Sequence, residues 1–158
     1  MSNPRVVALV AAVVAGSLVG ACRDDPVGPR LIGLECEQLD GSFQDCELIL
    51  TEAGGFRIDL LSTECNVTGN AVRLLSPTVA EPVLTDDGCV EPPGVLGLFE
   101  GPYPAGTAVS IRIESARAGS TSALRAMGEY PLWRVEFEDG TDNDFDDLVL
   151  DIVGLPST

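Results

Sequence analysis

A chain of 158 residues with 25 acidic and 9 basic side chains carries a formal net charge of −16, which leaves no basic footprint for nucleic acid. It has no histidine, and every basic residue is arginine, so Ser–His, Cys–His and Schiff-base catalysis are excluded as well. Cations are the natural ligands of such a chain.

The N-terminal stretch has the composition expected of an export signal. Arg5 precedes VVALVAAVVAGSLV, an apolar run too short for a comfortable membrane span but suited to a signal-peptide core. It ends in Val19-Gly20-Ala21-Cys22, which resembles a bacterial lipobox. The resemblance implies cleavage before Cys22 and a diacylglycerol on its sulfur, and two or three acyl chains at about 0.8 kcal/mol per CH₂ hold a protein on a membrane. Arg23 stands where Asp commonly signals inner-membrane retention, which favours the outer membrane of a cell envelope. Residues 1–21 are thus read as a lipoprotein signal peptide, 22–30 as lipidated cysteine and flexible tether, and 31–158 as one folded domain large enough to bury about two-thirds of its unfolded surface.

With Cys22 assigned to lipid, four cysteines remain: Cys36, Cys46, Cys65 and Cys89. An even number in an exported domain points to two disulfides, for which three connectivities exist. Cys36 with Cys46 is favoured because the pair brackets LDGSF, whose Asp-Gly turns the chain. Cys65 with Cys89 then closes the longer loop. A four-thiolate zinc site lacks any C-x-x-C knuckle.

The rest reads as strands. Residues 47–51 (ELILT) and 56–61 (FRIDLL) flank Glu52-Ala53-Gly54-Gly55, the composition of a hairpin turn. Residues 71–75, 79–84 and 95–99 follow, and in 107–114 Val109, Ile111 and Ile113 alternate with polar neighbours. The Gly, Ser and Thr of residues 115–127 argue for a loop and then a strand rather than a helix. Strands at 132–137 and 148–153 complete a chain with 17 glycines and 11 prolines. An all-β fold is expected, a single antiparallel β-sandwich of jelly-roll type.

Between the last two strands lies VEFEDGTDNDFDDLVLDI. Trp133, Val135 and Phe137 share one strand face, and Leu148, Leu150 and Ile152 share another, so the two strands are expected to be neighbours with an acidic connection. Glu138, Asp139, Asp142, Asp144, Asp146 and Asp147 supply hard oxygen ligands there, which calcium takes six to eight at a time in irregular geometry. Gly140 permits a tight bend. An EF-hand is excluded, because the sixth position counted from Asp142 is Asp147 rather than glycine and a strand follows.

Phe137-Glu138-Asp139, then Asp142-Asn143-Asp144-Phe145-Asp146-Asp147 and an apolar strand, resemble the end of a group of uncharacterised bacterial extracellular β-domains, and Ala105-Gly106-Thr107 resembles the opening of the same unit. The resemblance implies a β-sandwich with a calcium-binding loop and no enzymatic activity. Here the gap after Asp139 is only Gly140-Thr141, and Asp146 stands where Asn is common. Phe145 reads as a plug that pins the loop, and the Asn66-Val67-Thr68 sequon is given no role.

The functional expectation is a non-catalytic, lipid-anchored envelope module stabilised by calcium, with the membrane as one partner and a protein or glycan ligand open. The alternatives are a carbohydrate-binding or adhesion module, for which Tyr103 between two prolines is the best aromatic and Trp133 reads as core, and an envelope hydrolase using two carboxylates.

Overall fold

The computed structural model describes residues 34–38, 43–115, 123–139, 142 and 144–157. The expected signal peptide, Cys22 and the tether lie outside the described residues, as do the Asp-Gly turn at residues 39–42 and the bend at Gly140.

Ten strands run in chain order: β1 (Leu34–Gln38), β2 (Phe43–Ile49), β3 (Gly54–Ser62), β4 (Ala71–Ser76), β5 (Val83–Thr85), β6 (Gly94–Tyr103), β7 (Ala108–Glu114), β8 (Ala123–Glu129), β9 (Leu132–Glu138) and β10 (Leu148–Pro156). They form two antiparallel five-stranded sheets in the orders β1-β2-β7-β4-β5 and β6-β3-β10-β9-β8. The chain passes repeatedly from one sheet to the other, which gives the β-sandwich its jelly-roll-like interleaving.

Period-two alternation builds the core. In β7, Val109, Ile111 and Ile113 are buried between half-exposed neighbours. Phe56, Ile58 and Leu60 of β3, Trp133, Val135 and Phe137 of β9, and Leu148, Leu150 and Ile152 of β10 enclose them from the second sheet. Each apolar side chain removed from water contributes about 1.5–3 kcal/mol. On the solvent faces, arginines pair across strands: Arg112 grips Asp45 with two 2.7 Å hydrogen bonds, and Arg134 binds Asp151 at 2.9 Å. Arg73 and Arg125 likewise reach across to Glu114 and Glu136, while Arg57 pairs with Asp59 within β3. All five described arginines are therefore engaged on strand faces.

Two expectations about connections are corrected. The hairpin between residues 47–51 and 56–61 does not form, because β2 and β3 belong to different sheets. Gly54 and Gly55 are not turn residues but the start of β3. A Cβ on Gly54 would lie 2.1 Å from the Leu155 backbone oxygen, and one on Gly55 would lie 2.4 Å from that of Phe99. The glycines are there because strands on both sides approach β3 too closely for a side chain. The strand expected at 79–84 shrinks to β5, since Pro82 has no N–H for a ladder and instead offers its carbonyl to the Leu74 N–H at 2.7 Å.

Both favoured disulfides are present, Cys36–Cys46 and Cys65–Cys89. The first joins directly paired residues of β1 and β2. The second ties the segment after β3 to the segment after β5.

Candidate metal centre

β9 and β10 are antiparallel neighbours, with Phe137 opposite Leu148. The acidic run therefore closes one end of the second sheet. Glu138 is the last residue of β9 and Asp147 the residue before β10, so the ladder itself brings the two ends of the run together.

Glu138, Asp139 and Asp147 are all fully buried, and each places a carboxylate oxygen within 4.8 Å of the other two. A second grouping at the same distance joins Glu138 to the exposed Asp142 and Asp144. Asp146 belongs to neither grouping. Its backbone oxygen accepts from the Glu64 N–H at 3.1 Å, and Asp144 hydrogen-bonds its side chain.

Within the buried three, hydrogen bonds orient two members. Asp147 Oδ2 accepts from the Asp139 backbone N–H at 2.6 Å, and its Oδ1 accepts from the Asn66 N–H at 3.4 Å. Glu138 Oε2 accepts from the Phe145 N–H at 3.3 Å. The side chain of Asp139 differs, because both of its carboxylate oxygens are buried and neither has a hydrogen-bond partner among the described residues. A buried acceptor without a partner costs about 1–3 kcal/mol, and more when charged.

Electrostatics adds to this. Unit charges about 4.8 Å apart repel by about 3 kcal/mol per pair at an effective dielectric of about 20. Burial pushes the Asp147 carboxyl up to about 6, with the Asp139 and Glu138 charges adding to the rise and backbone N–H donors opposing it. Asp144 is also raised, first by its hydrogen bond to Asp146.

The donor set fits a hard cation. All the donors are carboxylate oxygens, and oxygens held 2.3–2.6 Å from one calcium are at most about 5 Å apart, a bound the buried three already meet. One ion among them would offset the repulsion and give the Asp139 oxygens a partner.

Phe145 has φ 64°, a left-handed conformation that is strained for an aromatic residue. This turns its N–H to Glu138, while the half-buried ring lies under the Arg125 guanidinium at 4.2 Å. The loop is thus pinned to β8. Trp133 is only 2% exposed. Tyr103 ends β6 rather than sitting in a loop, with its ring 5.6 Å from that of Phe56.

Sequence reasoning missed the segment at residues 63–66, which lies some eighty positions from the acidic run yet touches it through Glu64, Cys65 and Asn66. The Cys65–Cys89 pairing gave no signal of it, since it ties neither cysteine to the acidic run. Fold and site together define a β-sandwich with a buried carboxylate cluster at one end. No family model, no curated protein and no solved structure matches the chain.

Proposed function

We propose that this protein is a non-catalytic, lipid-anchored module of a bacterial cell envelope whose β-sandwich is stabilised by calcium in the loop between β9 and β10. The observation that carries the reading is Asp139, a buried carboxylate with neither oxygen partnered among the described residues, set against two further buried carboxylates. A cation supplies what that arrangement lacks. Calcium fits the all-oxygen donor set better than magnesium, which sheds its water reluctantly, or zinc, which takes nitrogen and sulfur readily.

Export is supported by the two disulfides, since such bonds persist in oxidising compartments, and the anchor rests on Val19-Gly20-Ala21-Cys22. Extracellular calcium modules bind at roughly 10⁻⁴ to 10⁻³ M. At a hundredfold excess over Kd the ion stabilises the fold by about 2.7 kcal/mol.

The test is thermal unfolding in EDTA and across a calcium titration, for the parent and for Asp139→Asn. Millimolar calcium is expected to raise the parent Tm by several degrees and to leave that of Asp139→Asn in place. Equal curves for the parent with and without calcium would sink the reading.

A further inference from the structure

β10 lies between β3 and β9. Val149 of β10 is opposite Ser62, the last residue of β3, so the chain leaving β3 emerges beside the carboxylates that precede β10. Three successive residues then touch the acidic run. The Glu64 N–H donates to the Asp146 backbone oxygen at 3.1 Å. Cys65 Sγ lies 2.8 Å from the Asp147 backbone oxygen. Asn66 then reaches both halves of the cluster: its backbone N–H donates to Asp147 Oδ1 at 3.4 Å, and its side-chain Nδ2 donates to Asp142 Oδ2 at 2.9 Å.

We propose that Asn66 is the positioning residue of the cation site and that the Cys65–Cys89 disulfide is the clamp holding it there. This rests on the calcium reading above and goes further by making the site a device of two chain segments, sensitive to the redox state of one bond. Asn66 aims one buried and one exposed carboxylate without adding charge. An acidic residue there would add to the repulsion, and an arginine or lysine would compete with the cation.

The far side of the clamp is built to resist movement. Thr63 Oγ1 donates to the Cys89 carbonyl at 3.2 Å, and the Cys89 N–H donates to Asp87 Oδ1 at 3.1 Å. The Gly88 N–H donates to the carbonyl of buried Asn70 at 2.8 Å, and Asn70 Nδ2 donates to the Val67 carbonyl at 3.4 Å. A Cβ on Gly88 would stand 2.8 Å from a Leu148 methyl, so this wall rests directly on the first residue of β10. Groups that orient metal ligands from behind typically contribute tenfold to a hundredfold in affinity. Opening the disulfide removes the covalent tie between residues 65 and 89 and lets Asn66 leave its two carboxylates. A dithiol gives the sulfur–sulfur bond two electrons and two protons, yielding the Cys65 and Cys89 thiols and the oxidised cyclic dithiol.

The experiment uses the purified full-length chain in detergent, with calcium binding measured by equilibrium dialysis well below Tm. Asn66→Ala is expected to raise the calcium Kd tenfold or more, a readout that loss of general stability does not move. In a Cys36→Ser/Cys46→Ser background, where only Cys65–Cys89 can respond, dithiothreitol is expected to raise the Kd by a similar factor. That second arm stands even if Asn66→Ala fails to fold. A parent that binds calcium while Asn66→Ala and the reduced protein keep its Kd overturns this inference and leaves the calcium reading intact. A parent that binds no calcium overturns both.

Discussion

The Asp139 backbone N–H donates to Asp147 Oδ2 at 2.6 Å, joining the first residue after β9 to the last before β10. The bond ties together the two ends of the acidic run, while the buried Asp139 carboxylate has no donor among the described residues. The carboxylate that lacks a partner is therefore held in place by the backbone of its own residue.

Removing that carboxylate has opposite effects with and without the ion. In EDTA, Asp139→Asn deletes one of three mutually repelling buried charges, so its free energy of unfolding in urea is expected to exceed that of the parent by about 1–3 kcal/mol. In saturating calcium the order reverses, because the parent gains binding energy and the variant does not. Asp142→Asn with Asp144→Asn touches only the exposed grouping. Those changes are expected to weaken the response without abolishing it. An Asp139→Asn variant less stable than the parent in EDTA would contradict the argument.

Asp147 predicts a pH dependence of unusual sign. Its folded-state pKa is raised from 3.8 to about 6 by burial and by the neighbouring charges. Between those values the folded chain holds a proton that the unfolded chain has released, so stability rises as pH falls through 6 towards 4 and is lost as pH rises through that window. In EDTA, Tm at pH 5 is expected to exceed Tm at pH 7, and Asp147→Asn is expected to flatten the difference. Calcium is expected to invert the trend, since protons then compete with the ion. Tm measured from pH 4 to 8 with and without calcium decides the matter.

Much of this was legible because alternation is a local signal. Trp133, Val135, Phe137, Leu148, Leu150 and Ile152 are buried as their spacing requires, and β9 and β10 are the neighbours that this spacing implied. Local composition misled where the deciding contact was distant. Gly54 and Gly55 have the composition of a turn, but their lack of side chains serves Leu155 and Phe99, far away in sequence. The same limit hid the division of the acidic run. The sequence offers its six carboxylates as one ligand set, whereas the two groupings both turn on Glu138, whose position is set by the end of β9, and Asp146 stands apart. Asn66 was invisible for the same reason, since only the placement of β10 between β3 and β9 brings it near.

Backbone strain at Phe145 gives a prediction that separates ring from backbone. At φ 64° a non-glycine residue is strained by about 1–2 kcal/mol, a cost glycine avoids. Phe145→Ala loses the ring under Arg125 and keeps the strain, while Phe145→Gly loses the ring and relieves it. The glycine variant is expected to be the more stable of the two by about 1 kcal/mol in urea unfolding, less the greater freedom glycine gains in the unfolded chain. A glycine variant less stable than the alanine variant by about 0.4–1 kcal/mol, the cost of its freedom in the unfolded chain alone, would show that the left-handed backbone carries no strain.

Gly54 tests the close approach of β3 and β10 within their sheet. Gly54→Ala places a methyl 2.1 Å from the Leu155 backbone oxygen and 3.0 Å from the Pro156 Cα. Neither is a flexible side-chain end that could swing aside. Strand β3 or β10 has to shift, at a cost of about 3 kcal/mol. Because β10 also begins at the carboxylate cluster, a shift confined to its far end is expected to lower Tm equally in EDTA and in calcium. A calcium Kd moved by Gly54→Ala would mean that β10 transmits strain along its whole length, from Pro156 to the site before Leu148.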